Sequence, residues 1–370
     1  MSIIHLYMIA GGFSLGALSG FLMHRSDYCV AGMFRDLFLF RSTRMLKTLL
    51  LLIVVSLPLF ELIRLTGFVA VPFPFFGPPS LTNLLGGFLF GIGMVLAGGC
   101  VVGTLYRLGA GSFPGLLAFL GLVAGSTLFA FLYPQWMSVS RTLALPTKAV
   151  TLPQLFGLPP WLLVSLLVLV LSPLIRRWFR DGSMLRSSVV DGYLQPWQAA
   201  LGLAFIGAVS VLLVGMPLGI TTSYAKFGAM LLHPLAPEYY ASLKYFQLIP
   251  LRYTPPLGGA LISGGPGFEL DAVALIQFPL ICGIVAGSAW SAIRLGEWRL
   301  QIKLPWRQVV SAILGGIIMG LASRMAPACN IWHLFGGLPI LALQSFLFLA
   351  GLFPGAWLGG IVLTRLVMPR

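Results

Sequence analysis

Charged side chains are what this sequence has least of. Asp, Glu, Lys and Arg make up 9% of its 370 residues, and only 9 side chains are acidic. Water-soluble domains carry about a quarter charged residues, so this scarcity excludes one. With 58% hydrophobic residues, the chain reads as an all-α polytopic membrane protein. No GxxxxGK[ST] stretch occurs, which excludes a nucleotide-driven motor in this chain. Cys29, Cys100, Cys282 and Cys329 include no CxxC pair and no metal-ligand clustering, so they make neither a disulfide framework nor a zinc site. Paired carboxylates, a nucleophile elbow and a cofactor fingerprint are missing as well. Nothing therefore asks for an enzyme, a cofactor, a metal or a nucleic acid. The first apolar stretch, Ile3 to Met23, lacks a basic n-region and reads as the first span rather than a cleaved leader.

What charge there is lies on one side. The 23 Lys and Arg leave a net charge of +14, which fits the positive-inside bias of an inner-membrane protein and equally an anion-selective route. At 1.5 Å per residue, segments at 3–24, 46–68, 84–106, 113–133, 157–175, 198–214, 272–292, 308–326 and 343–364 are long enough to span. Basic connections follow at Arg25–Lys47, Arg176–Arg186 and Arg294–Arg307. Placing all three in the cytoplasm puts the N-terminus outside and the C-terminus inside, a parity that nine spans satisfy. The 71–80, 134–156 and 215–271 stretches then lie outside.

Glycine is abundant, and its placement repeats. "GGFLFGIGMVLAGGC" (86–100) has a downstream partner in "GGIIMGLASRMAPAC" (315–329), each beginning Gly-Gly and reaching its cysteine at the same spacing. "GFSLGALSGFLMHRSDYCVAGMF" (12–34) resembles "GLAFIGAVSVLLVGMPLGITTSYAKFG" (202–228), with Thr221 or Thr222 near the place of Cys29. The pattern divides the chain into a first membrane repeat, 1–155, a linking span and cytoplasmic loop, 156–197, and a second repeat, 198–370. The odd span between them turns the second repeat over, the arrangement that places a transporter's site near the midplane.

Two readings of "AGGC" stand side by side. Gly98 and Gly99 form a bare backbone surface with the Cys100 thiol exposed on it, at a break whose free N–H groups attract anions; or the glycines serve close helix packing around an inert, buried cysteine. Arg25, Asp27, Arg35 and Asp36 crowd around Cys29, as a cytoplasmic loop or as the lining of a vestibule. Arg324 lies within the eighth span, where a charge faces a cavity or a partner, and Arg107 lies in the third span or just past it. His333 follows Cys329 by one helical turn and reads as a hydrogen-bonding structural residue. Cys282 sits in a uniformly apolar run and reads as a packing residue.

"RSDYCVAGMFRD" (25–36), "GIGMVLAGGCVVGTLYRLGAG" (91–111) and "GLASRMAPACNIWHLFGG" (320–337), with its Cys329–Asn330 pair, resemble the motifs of the YeeE/YedE family of bacterial inner-membrane proteins, whose characterised members take up thiosulfate. The resemblance implies two inverted halves with re-entrant, pinched elements shaped like an hourglass. It also implies a relay of S–H hydrogen bonds from Cys29, Cys100 and Cys329 that passes a small inorganic sulfur anion, and a TusA-like sulfur-carrier protein as a cytoplasmic partner. A thiol is a weak donor that can hold a doubly charged anion loosely, whereas Lys or Arg at the narrowest point would trap it. The chain departs from the family pattern at Pro327 and Ala328, where glycine is usual, and at Trp332 and His333, where a small residue is usual. These departures bear on the solute, leaving another sulfur or selenium species open, and a membrane-embedded sulfur-transfer enzyme using Cys329 with His333 is the remaining alternative.

Overall fold

Broken helices, rather than plain spans, organise the molecule. A computed structural model describes residues 3–69, 71–74, 76–186, 190–300 and 302–367; residues 1, 2, 70, 75, 187–189, 301 and 368–370, which fall within the segments and connections expected above, lie outside it. The first half holds α1 (Ile3–Ser26), α2 (Val30–Phe40), α3 (Arg44–Leu65), α4 (Leu81–Leu96), α5 (Val101–Gly109) and α6 (Phe113–Thr142). After a short α7 (Leu152–Phe156) and α8 (Pro160–Arg180) come α9 (Pro196–Val214), α10 (Thr221–Leu235), α11 (Pro237–Ser242), α12 (Ala272–Arg294), α13 (Trp306–Met325), a π-helical segment at Ile331–Gly337, and α14 (Leu343–Val362). Among the described residues, nine helical stretches are long and apolar enough to cross a membrane, in the nine places expected. Among the described residues, β structure is limited to an antiparallel pairing of β1 (Leu251–Tyr253) with β2 (Ile262–Gly264) and two isolated bridges.

The boundaries differ from the sequence reading where α2 fills Val30–Phe40 of the expected Arg25–Lys47 connection, and in two further places. Helix α6 runs on through Pro134 to Thr142, past the expected end at residue 133. A proline inside a helix forfeits one hydrogen bond, whereas ending the helix there would orphan up to four carbonyls in a medium without water. The 215–271 stretch, expected as an outer connection, contains α10. That helix is 15 residues long, about 22 Å at the usual rise, short of the ~30 Å hydrocarbon core. It is too short to register as a span, and it is packed against α6 and α12.

The helix pairings come in matched sets. Helix α1 packs on α12 as α9 packs on α3; α4 packs on α14 as α13 packs on α6; α2 packs on α14 as α10 packs on α6. Likewise α5 meets α12, and the π segment meets α3. Helix α8 packs against α3 and otherwise turns most of its length outward.

What allows the closest pairings is glycine facing carbonyl in both directions. A Cβ at Gly16 or Gly20 on α1 would strike the carbonyl oxygens of Leu280 and Ile284 on α12, and one at Gly283 or Gly287 would strike those of Phe13 and Ala17. Gly121 and Gly125 on α6 meet Ile313 and Ile317, while Gly316 and Gly320 on α13 meet Ala118 and Leu122. Gly87 on α4 meets Phe348, and Gly351 and Gly355 on α14 meet Leu84 and Phe88. Lipid tails are as apolar as leucine, so close backbone approach takes over the part that hydrophobic burial plays in water. A side chain at these positions must push two backbones apart, an overpacking cost of about 1–3 kcal/mol or more. Gly287→Ile is therefore expected to abolish the monodisperse folded protein in detergent. Gly207→Ala, where the added carbon meets only the Phe60 ring at 3.7 Å, is expected to leave its melting temperature unchanged.

Candidate functional site

Each cysteine motif sits where a helix stops and restarts. Cys29 caps the start of α2 with extended backbone, and Cys100 does the same for α5. The breaks are made locally: Asp27 and Gly98 adopt φ of 51° and 71°, the left-handed region that ends a helix. The Cys100 Sγ accepts the Gly103 N–H at 3.3 Å, occupying one of the free amide groups of the new helix. In the second half, α13 ends at Met325, and the Cys329 carbonyl accepts the His333 N–H at 3.0 Å as the π segment begins. The fourth half-helix, α10, is capped by Ile220, so the position equivalent to Cys29 falls one residue before the expected Thr221.

Two of the three thiols are brought together. The sulfurs of Cys29 and Cys100 both lie against the bare Cα of Gly103. A Cβ there would stand 2.9 Å from the Cys29 sulfur and 3.3 Å from the Cys100 sulfur. Sequence reasoning passed over Gly103; its signal is a glycine one turn into a half-helix that opens on a cysteine. The Asn330 side chain lies beside Cys100, is fully buried, and has no hydrogen-bond partner at Oδ1 or Nδ2 among the described residues. Arg107, one turn beyond Gly103, donates to the Gly98 carbonyl, and its charge lies within range of the Cys29 sulfur. It is thus part of the thiol site and not of a connecting loop. In the segment from Gly86 to Cys100, Gly86, Gly87, Gly91 and Gly93 seat neighbouring helices while Gly98 makes the break, and the Cys100 thiol, expected in one reading to be exposed there, is buried. All three thiols are buried, Cys329 completely.

Beside Cys329 lies a cavity of about 170 Å³. Pro327 and Ala328 form its floor with Trp332, and Arg324, Thr221 and Thr222 form its polar wall. The Arg324 guanidinium donates to Thr222 Oγ1 and Tyr245 Oη at 3.4 Å each. The start of α10 has no side-chain cap, so a cation and a helix N-terminus face one space, a setting suited to an anion. Trp332 stacks on Phe76 with centroids 4.9 Å apart and presses on Gly219, where a Cβ would lie 2.8 Å from the indole.

The remaining candidates lie elsewhere. Arg25 donates to Ser291 Oγ at 3.0 Å and to the Gly192 carbonyl, tying α1 to α12 and to the loop before α9. Arg35 pairs with its neighbour Asp36 at 2.8 Å. His333 shares a 3.0 Å hydrogen bond between Nδ1 and Ser345 Oγ and stacks on Phe348. Cys282, read as a packing residue, is exposed on the outer face of α12, because one side of every peripheral helix meets lipid and an apolar run alone does not reveal which. Gly99 packs on the Gly103 backbone. A cation that sequence reasoning left unassigned, Lys226, is fully buried and satisfied: it donates to the Gly267 and Glu269 carbonyls at 2.8 and 2.6 Å and pairs with Asp271 at 3.0 Å.

Ala328 adopts φ of 115°, a region that only glycine enters without strain. Strain of this kind costs about 1–3 kcal/mol, against about 0.5–1 kcal/mol for glycine's freedom in the unfolded chain. Ala328→Gly is accordingly expected to raise the melting temperature of the purified protein by a few degrees.

The profile of the family described as sulphur transport matches residues 25–358. The chain is 28% identical to the thiosulfate transporter TsuA of Spirochaeta thermophila over 95% of its own length and 99% of that protein's. It is also 28% identical to TsuA of Escherichia coli K12, over 95% and 93% of the two chains. A probable transporter of E. coli, YedE, is 32% identical over 44% of this chain and 40% of its own. With the matched profile running through all three cysteine motifs and two relatives aligned nearly end to end, the chain belongs to the sulphur transport family.

Proposed function

We propose that this protein imports thiosulfate across the bacterial inner membrane, receiving it in the Arg324 cavity and passing it by S–H hydrogen bonds through Cys329, Cys100 and Cys29. The observation that carries this reading is the juxtaposition of the Cys29 and Cys100 thiols on bare Gly103, beside a buried Asn330 amide with nothing to bond. Unpaired buried polar groups are costly, and these have the donors that an anion's oxygens and terminal sulfur would take up. Neutral thiols and an amide hold a dianion less tightly than a cation would, which favours release. Arg324 on one side and Arg107 on the other attract the anion without themselves forming the thiol pair. The full occlusion of Cys329 fits a resting state whose constriction opens only when solute enters.

The matched helix pairings support two repeats, 1–155 and 198–370, joined by 156–197 and inverted by the odd span α8. Their half-helices then converge from opposite faces, as an hourglass requires. The basic connections favour a periplasmic N-terminus and a cytoplasmic C-terminus, with the thiol pair toward the cytoplasm. A TusA-like sulfur carrier would receive the product there. His333 is held through Nδ1 by Ser345 and stacked on Phe348, which suits a structural residue.

Radiolabelled thiosulfate uptake into cells lacking their own importers tests the proposal. The intact protein should restore uptake, Cys29→Ala, Cys100→Ala and Cys329→Ala should each lower it at least tenfold, and Cys282→Ala should leave it unchanged. An expressed but inactive intact protein would refute the assignment to thiosulfate. Orientation is checked separately: a phosphatase fused to the N-terminus should be active, and one fused after Val367 inactive, with a fluorescent reporter giving the opposite pattern.

A further inference from the structure

One buried hydroxyl close to the thiols has no task in the scheme above. Tyr224 lies in the first turn of α10 and is fully buried, its ring held against Phe119 at 5.5 Å. Its Oη has no hydrogen-bond partner among the described residues. Thr104 stands beside it, its hydroxyl donating to the Val101 carbonyl at 2.7 Å. Tyr28, the equally buried tyrosine next to Cys29, differs: its hydroxyl donates to the Thr48 carbonyl at 3.2 Å. A buried tyrosine ordinarily satisfies its O–H, so an unpaired hydroxyl this near the thiols needs a reason.

Its position supplies one. Tyr224 shares one buried cluster with Cys329 and Cys100, the two thiols that come from opposite halves of the chain. It belongs to the half-helix that starts on Ile220, where two others start on a cysteine. We infer that the Tyr224 hydroxyl is a fourth donor on the path, bonding the anion as it crosses between Cys329 and the Cys29–Cys100 pair. A phenol O–H is a stronger donor than a thiol and carries no charge, so it can bridge a gap between thiols without trapping a dianion. The ring, packed at a tilt against Phe119, fixes its direction, and no covalent bond is made or broken in the protein. This inference rests on the transport reading above and adds a positioning residue to it.

Tyr224→Phe removes the oxygen and keeps the ring. Because that oxygen bonds nothing in the empty protein, its removal should leave the melting temperature unchanged or raised, while the maximal rate of thiosulfate uptake falls at least fivefold at equal abundance. Uptake equal to that of the intact protein overturns the inference, and so does a lowered melting temperature, which would reveal a structural partner. Measuring the intact protein and Cys100→Ala in the same cells separates the two proposals. If the intact protein takes up thiosulfate and Cys100→Ala does not, a fully active Tyr224→Phe removes the tyrosine's part alone. If the intact protein takes up none, both proposals fall.

Discussion

Everything in this molecule hangs on backbones touching backbones. Three helix pairs, α1–α12, α4–α14 and α6–α13, are held at distances where a single methyl group on either side would collide with the opposite chain. In lipid there is no gain from hiding apolar side chains, so dispersion and weak Cα–H···O contacts over a bare surface bind the helices. Reciprocity makes the contact specific. Each helix offers glycines where its partner offers carbonyls, so sliding by one residue would place a side chain against a peptide oxygen.

That rigidity is what makes the broken helices affordable. A chain that stops and restarts inside a membrane leaves amide groups without partners, and here side chains and neighbouring carbonyls take several of them. The Cys100 sulfur takes one free N–H, the Gly98 carbonyl is taken by Arg107, and Ser223 bonds Gln277 at the start of α10. The amide of Asn330 and the hydroxyl of Tyr224 are left over.

The two halves repeat their architecture but not their chemistry. Cys100 and Cys329 occupy matching breaks, yet only Cys100 has a thiol neighbour, and Ile220 stands where Cys29 would have its counterpart. Arg107 and Arg324 are not equivalent either: one follows its cysteine within a half-helix, and the other precedes its cysteine on a full span. A symmetric pore would bind an anion equally from both sides. This one presents an open cavity with a guanidinium on one face and a closed thiol pair on the other, a difference that a directional pathway needs.

The sequence by itself determined the class and the nine spans, because apolar length is a local property of the chain. The equal run from Gly-Gly to cysteine in 86–100 and 315–329 was legible as a repeat for the same reason. Tertiary structure alone decided which residues meet. It drew Arg107 into the thiol site, occupied Arg25 and Arg35 with structural bonds, turned Cys282 toward lipid, and hid α10 inside what reads as a connection. Gly103, Lys226 and Tyr224 gained their meaning the same way. Whether a glycine bares a surface for a sulfur or for a helix, and whether a hydroxyl is satisfied, depends on atoms hundreds of residues away that no local pattern encodes.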